Sequence, residues 1–181
     1  MTVKHLYLIR HCQAHGQKVS ASLTVAGFQQ AERLVSFFEG KKIDRILSSP
    51  FRRAVQTADP LAAARGLEIE RDDRLAERVM SGTDMADWKE KLKETFDDFT
   101  LAFEGGESNE SGMKRVSSLL GDLQAADESH IVLVSHGNLS VLLLRSFEES
   151  YGYDHMMKMS NPDVFHIEIN EHERKIRRIW C

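Results

Sequence analysis

Leu6-Tyr7-Leu8-Ile9-Arg10-His11-Cys12 is the stretch from which the rest of the chain can be read. Four apolar residues in succession have the pattern of a short strand buried on both faces. Packing does not call for the arginine and histidine that end it. In parallel sheets the carboxyl ends of the strands form the rim where ligands bind. His11 is therefore the candidate nucleophile, and Arg10 the group that holds an anionic target.

At 181 residues, 41% hydrophobic and 29% charged, the chain has the make-up of one globular domain with a proper core. The net charge of -4, with no basic stripe, argues against nucleic acid as a partner. No apolar stretch approaches the roughly 20 residues that span a bilayer. Residues 4–9 form a strand with no signal-peptide order before it, so a cytoplasmic protein is expected. The two cysteines, Cys12 and Cys181, have neither zinc spacing nor an evident disulfide partner.

Alternating strands and helices follow. Thr24 is placed to cap a first helix whose apolar face is Phe28, Ala31, Leu34, Val35 and Phe38, with Gly40 beyond its end. Ile43–Leu47 reads as a second strand. Ser48-Ser49-Pro50 reads as the start of a helix to about Arg65, with a serine cap and Pro60 as a kink or interruption. A weak strand at Leu67–Glu70 precedes a polar excursion, helical at about 78–104, that would form a lid over one rim. A helix after Ser108, a buried strand at Ile131–Ser135, a helix opened by Gly137 and two closing strands around residues 170–173 complete the pattern. The expected fold class is α/β, a three-layer α/β/α arrangement with a mostly parallel central sheet, in a single domain over 1–181.

If the first, second and fourth strands are parallel, their carboxyl ends bring together residues about 125 positions apart. Arg10 and His11 meet Arg52, Arg53, His136 and Gly137. Guanidinium groups match phosphate oxygens bidentately and stay charged. Backbone N–H groups at the helix start after Gly137 suit an anion. Arg10 is expected to depress the pKa of His11 and keep it neutral, as a nucleophile must be. The constellation suits a dianion.

Four motifs in order carry a resemblance: Arg10-His11-Cys12; Ser48-Ser49-Pro50 with Arg53-Ala54-Val55-Gln56-Thr57-Ala58; Gly105-Gly106-Glu107-Ser108; and Ser135-His136-Gly137. Together with Leu23-Thr24-Val25-Ala26-Gly27 they resemble the histidine phosphatase superfamily, the phosphoglycerate-mutase-like fold. The resemblance implies that His11 becomes a phosphohistidine while Arg10, Arg53 and His136 bind the phosphoryl oxygens. It places the general acid at Glu77, with Asp72 and Asp73 as fallbacks, and gives Gln17 an amide contact to phosphate. It implies no metal and no cofactor, and a small phosphorylated metabolite as partner. Cys12 stands where glycine is usual, which the fold accepts only if φ there is not positive.

Hydrolysis of small phosphate monoesters is the expected activity. A cofactor-dependent phosphoglycerate mutase, a phosphohistidine protein phosphatase and a non-catalytic phosphate-binding domain are the alternatives. The short 78–104 segment and the retained reacting groups weigh against them. His11 and His15 have the i, i+4 spacing of helical zinc ligands, but Gly16 and the strand make a helix there unexpected. His5, His130, His155, His166 and His172 read as surface or hydrogen-bonded residues. Oligomeric state is not legible.

Overall fold

A computed structural model describes residues 2–180, which leaves Cys181 outside the described residues. The chain forms two compact units. The first contains Met1–Ala76, Ala126–His136 and Ser160–Cys181; the second contains Glu77–Ala125 and Gly137–Met159.

The first unit is built on a six-stranded mixed sheet. Its strands are β1 (Lys4–Arg10), β2 (Arg45–Ser48), β3 (Ile69–Arg71), β4 (His130–Ser135), β5 (Asp163–Ile169) and β6 (Arg174–Arg178), in the order β3-β2-β4-β1-β5-β6. The first four in that order are mutually parallel, whereas β5 and β6 run antiparallel as a closing hairpin. The α/β class and the mostly parallel sheet are as the sequence predicts. Strand ends shift by a few residues: β3 is Ile69–Arg71 rather than Leu67–Glu70.

Among the described residues this unit holds two α-helices, α1 (Val25–Phe37) and α2 (Arg52–Arg65), and a single 3-10 turn at Asp73–Leu75. Tyr7 and Ile9 of β1, Val132 and Val134 of β4 and Ile46 of β2 share one face of the sheet and pack with Ala31, Leu34, Ala54, Ala58 and Leu61. Burying side chains of this size contributes about 1.5–3 kcal/mol each for the larger ones. Thr24 caps α1 as expected, its hydroxyl accepting the Gly27 N–H at 3.0 Å. α2 runs unbroken through Pro60, so the expected interruption does not occur. Nor does a serine cap it. Its N-cap is Phe51, and the Ser49 hydroxyl is used at the rim described below.

The second unit holds α3 (Trp88–Asp97), α4 (Asn109–Ala125), α5 (Gly137–Arg145) and α6 (Tyr153–Lys158). Ser108 caps α4, accepting the Ser111 N–H at 3.1 Å. Val116, Leu119, Leu120 and Leu123, the face expected from periodicity, are all buried. Arg78 is buried here and donates to the Glu107 carbonyl and to Thr95 Oγ1. Gly106 is required by close approach, because a Cβ there would lie 2.2 Å from the Met80 carbonyl oxygen. Among the described residues no helix is long and apolar enough to cross a membrane.

Candidate active site

β1 and β4 end side by side, with Arg10 paired to Ser135 and the ladder extended by His11 N–H donating to the Ser135 carbonyl at 3.0 Å. That register sets His11 beside His136, their ring centroids 5.1 Å apart and their planes at 62°. Both are buried, at 6% and 0% exposure. β2 ends next to β4, and Ser49 N–H donates to the Val134 carbonyl. From there the chain enters α2, which brings Arg53 to His11. The convergence expected of three parallel strand ends is present within the first unit.

The His11 ring is oriented at both nitrogens. Nδ1 lies 2.7 Å from the Cys12 carbonyl oxygen, an acceptor, so Nδ1 carries the proton. Arg53 Nε donates to His11 Nε2 at 3.2 Å, so Nε2 is unprotonated and its lone pair is held by Arg53. Burial pushes the His11 pKa down to about 3. The Arg53 and Arg10 charges push in the same direction, and the bond to Cys12 opposes them. Arg10 lowers the His11 pKa as expected, but burial contributes most, and Arg53 precedes Arg10. His11 is neutral at any ordinary pH.

Arg53 is 1% exposed, yet it carries a full charge. Its Nη1 donates to the Gln17 carbonyl at 3.2 Å and the Lys18 carbonyl at 2.9 Å, and the guanidinium lies over the Phe51 ring. Gln17, expected to offer its amide, offers its main-chain carbonyl to Arg53 and is itself exposed. His136 Nε2 is 2.8 Å from Ser49 Oγ, and the Phe51 ring meets the His136 ring edge to face at 4.9 Å.

Several motif residues act by holding the loop that carries these groups. Thr57 Oγ1 accepts the Cys12 N–H at 2.9 Å and donates to the Arg53 carbonyl. Gln56 Oε1 accepts the Leu23 N–H at 2.8 Å, and Gln30 Oε1 accepts the Gln13 N–H at 2.9 Å. The loop crosses the start of α1 so closely that a Cβ on Gly27 would lie 2.1 Å from the Gln13 carbonyl oxygen. Asn161 Nδ2 donates to the His11 carbonyl at 2.9 Å. Ser49, Thr57 and Asn161 were not expected to support the site.

Cys12 is fully buried, with the core around it. No non-glycine residue among those described has positive φ, so a side chain at position 12 is accepted without strain. Burial pushes its thiol up to about 12, so this cysteine is a packing group, not a thiolate.

Glu77 and Gly137 belong to the second unit. Glu77 Oε1 accepts the Leu139 N–H at 3.0 Å and the Arg78 N–H at 2.9 Å, and Oε2 accepts the Asn138 N–H at 3.1 Å. The carboxylate thus occupies the start of α5, where the helix dipole favours negative charge. Two of the N–H groups expected to face an anion after Gly137 are taken by Glu77. Of the fallback acids, Asp72 is committed elsewhere: it accepts the Arg74 N–H and pairs with the Arg74 guanidinium at 2.8 Å.

Residues 6–181 match the family model of the histidine phosphatase superfamily (branch 1). Two curated relatives come from Hydrogenobacter thermophilus. One, provisionally named phosphoserine phosphatase 2, is 32% identical over 150 residues, covering 75% of this chain and 74% of the relative. The other, phosphoserine phosphatase 1, is 30% identical over 147 residues, covering 72% and 70%. A solved structure of mycobacterial glucosyl-3-phosphoglycerate phosphatase with inorganic phosphate superposes with TM-score 0.77 at 26% identity, over 98% of this chain and 96% of that one.

Proposed function

The chain belongs to branch 1 of the histidine phosphatase superfamily, and from that we propose that it hydrolyses phosphate monoesters of small molecules through a phosphohistidine on His11. The carrying observation is the state of the His11 ring: Nδ1–H held by the Cys12 carbonyl, Nε2 facing Arg53, and a pKa pushed down to about 3.

Arg53 Nε–H leaves Nε2 for a phosphoryl oxygen, the freed lone pair of Nε2 attacks phosphorus, and the bond to the ester oxygen breaks. The ring becomes an N-phosphorylated imidazolium whose Nδ1–H is held by the Cys12 carbonyl. Arg10, Arg53 and His136 bind the phosphoryl oxygens and stabilise the charge that builds on them, commonly the largest catalytic contribution. The leaving oxygen takes its proton from Glu77. Glu77 then removes a proton from water, which attacks phosphorus, breaks the P–N bond and returns neutral His11. Glu77 Oε2 accepts one backbone N–H where Oε1 accepts two, which favours Oε2 as the proton carrier. General acid–base help of this kind is worth about 100- to 10,000-fold. A phosphate contact from the Gln17 amide and a Gly137 N–H belongs to the same reading. The segment at about 78–104 sets substrate choice in it. The names of the relatives put phosphoserine first among substrates to try.

Hydrolysis of p-nitrophenyl phosphate and phosphoserine in chelator tests the reading. Wild type turns over and His11→Ala does not. Undiminished turnover by His11→Ala, or its abolition by chelator, would overturn it. Glu77→Gln slows phosphoserine, with its poor leaving group, far more than p-nitrophenyl phosphate; an equal loss on both would remove Glu77 from the acid role.

A further inference from the structure

At the opposite, amino-terminal ends of the parallel strands, a second group of histidines gathers on the same face of the sheet. The rung that pairs β4, β1 and β5 carries His130, His5 and Glu168, and the next residue on that face of β5 is His166, paired to Tyr7. The phosphate chemistry proposed above uses none of them. On strands that rise about 3.3 Å per residue, His5 and its partner Glu168 lie roughly 20 Å from His11, and His166, opposite Tyr7, roughly 13 Å.

His5 Nδ1 and His166 Nε2 face each other at 2.9 Å. The rings are nearly parallel, at 15°, with centroids 5.1 Å apart. A carboxylate oxygen of Glu168 completes a set of three ligand atoms that all lie within 4.8 Å of one another. All three residues are partly exposed, so solvent reaches them. We propose that His5, His166 and Glu168 form a binding site for a divalent transition-metal ion.

The geometry supports two imidazoles in adjacent positions. Metal–nitrogen bonds of about 2.0–2.1 Å at a right angle place the two nitrogens about 2.9 Å apart, while a tetrahedral angle needs about 3.4 Å. The observed separation fits the right angle of nickel(II) or copper(II), and zinc(II) fits after a small opening of the pair. Two imidazoles and one carboxylate with further positions left to water are a ligand set that suits these ions rather than magnesium or calcium.

The ring chemistry agrees. Burial lowers the pKa of both His5 and His166, so both are neutral and able to ligate at pH 7. The proton shared between the facing nitrogens moves to the outward nitrogen of its ring as the metal enters. Lys41 and Arg177 act on His166 against an added positive charge, and Glu168 acts on both rings in its favour. His130 stacks on His5 at 4.6 Å, its Nδ1 directed to Ser129 Oγ and to Asp44, so it orients His5 rather than ligating.

Calorimetric titration of the whole chain with nickel(II), then with zinc(II) and magnesium(II), tests the site. One equivalent of nickel(II) and of zinc(II) binds, and magnesium(II) does not. His166→Gln and, as a variant that keeps the side-chain shape, Glu168→Gln each weaken nickel(II) binding at least tenfold. Both leave p-nitrophenyl phosphate hydrolysis within about twofold of wild type. Copper(II) bound to wild type shows hyperfine splitting from two nitrogens, and bound to His166→Gln from one. Failure of nickel(II) to saturate one site, or equal affinity in both variants and wild type, would overturn the proposal, whatever His11 does.

Discussion

The first strand has a histidine pair at each end, and the two pairs have the same centroid separation of 5.1 Å. What surrounds them differs. At the amino end His5 and His166 turn their nitrogens toward each other, partly exposed, with a carboxylate alongside. At the carboxyl end the rings cross at 62° and each turns its nitrogens to other groups: His11 to the Cys12 carbonyl and Arg53, His136 to Ser49. Histidines that face each other across one shared proton both offer a lone pair once that proton moves to an outward nitrogen, which suits a cation. Histidines held apart beside guanidinium groups keep one lone pair, on His11 Nε2, that Arg53 holds and can release to phosphorus in an anion. The chemistry of each end follows from the partners that orient the rings, since the residue type and spacing are the same.

The largest effect that separates the two ends is expected from Arg53. Its guanidinium touches the nucleophile directly, whereas the cations near His166 act only through their charge. Arg53→Ala should lower kcat/KM for p-nitrophenyl phosphate by roughly 100- to 1,000-fold, the scale of losing one donor to transition-state charge. His5→Gln should stay within about twofold. Steady-state kinetics on both variants decide the matter, and comparable losses would mean that the two ends are not independent.

A smaller effect concerns stability. Unfolded, His11 takes up a proton near its ordinary value of 6.5; folded, it resists protonation down to about 3. Between those values the unfolded chain binds more protons, so stability falls as the pH falls, by up to about 1.4 kcal/mol per pH unit. His11→Asn keeps an N–H for the Cys12 carbonyl and removes the titrating ring. Urea unfolding from pH 6.5 to pH 4 should show the variant gaining steadily on wild type. Parallel curves would mean that His11 is not held neutral by burial. His5 and His166 are shifted in the same direction and add to the residual slope of the variant.

How far these ends could be read from the sequence differs too. The carboxyl end was legible because Arg10, His11 and His136 terminate short apolar runs, and because parallel strands with helical crossovers have their carboxyl ends on one edge. Position brought both Arg52 and Arg53 to that rim, and the resemblance of the Arg53-Ala54-Val55-Gln56-Thr57-Ala58 motif singled out Arg53. Ser49 was misread as a cap, since a serine before a proline and a helix serves equally well in either role. Thr57 and Asn161 were invisible as site residues. Thr57 acts through a hydroxyl turned back to the Cys12 N–H, and Asn161 reaches His11 from 150 residues away. The histidines of the amino end read as surface or hydrogen-bonded residues, but not as partners of one another, because they meet only through the antiparallel register of β1 with β5. Periodicity within a strand does not specify which residue it will face on a neighbour.

The central claim is that the His11 Nε2 lone pair is a nucleophile toward phosphorus. Rapid acid-free quenching of the enzyme during turnover of p-nitrophenyl phosphate, followed by peptide mass spectrometry, tests it most directly. A phosphoryl group on the peptide carrying His11, stable to alkali and lost in acid, formed by wild type and lengthened in lifetime by Glu77→Gln, is the result predicted here. Turnover that leaves His11 unmodified in both proteins, or places the phosphoryl group on another side chain, would contradict it.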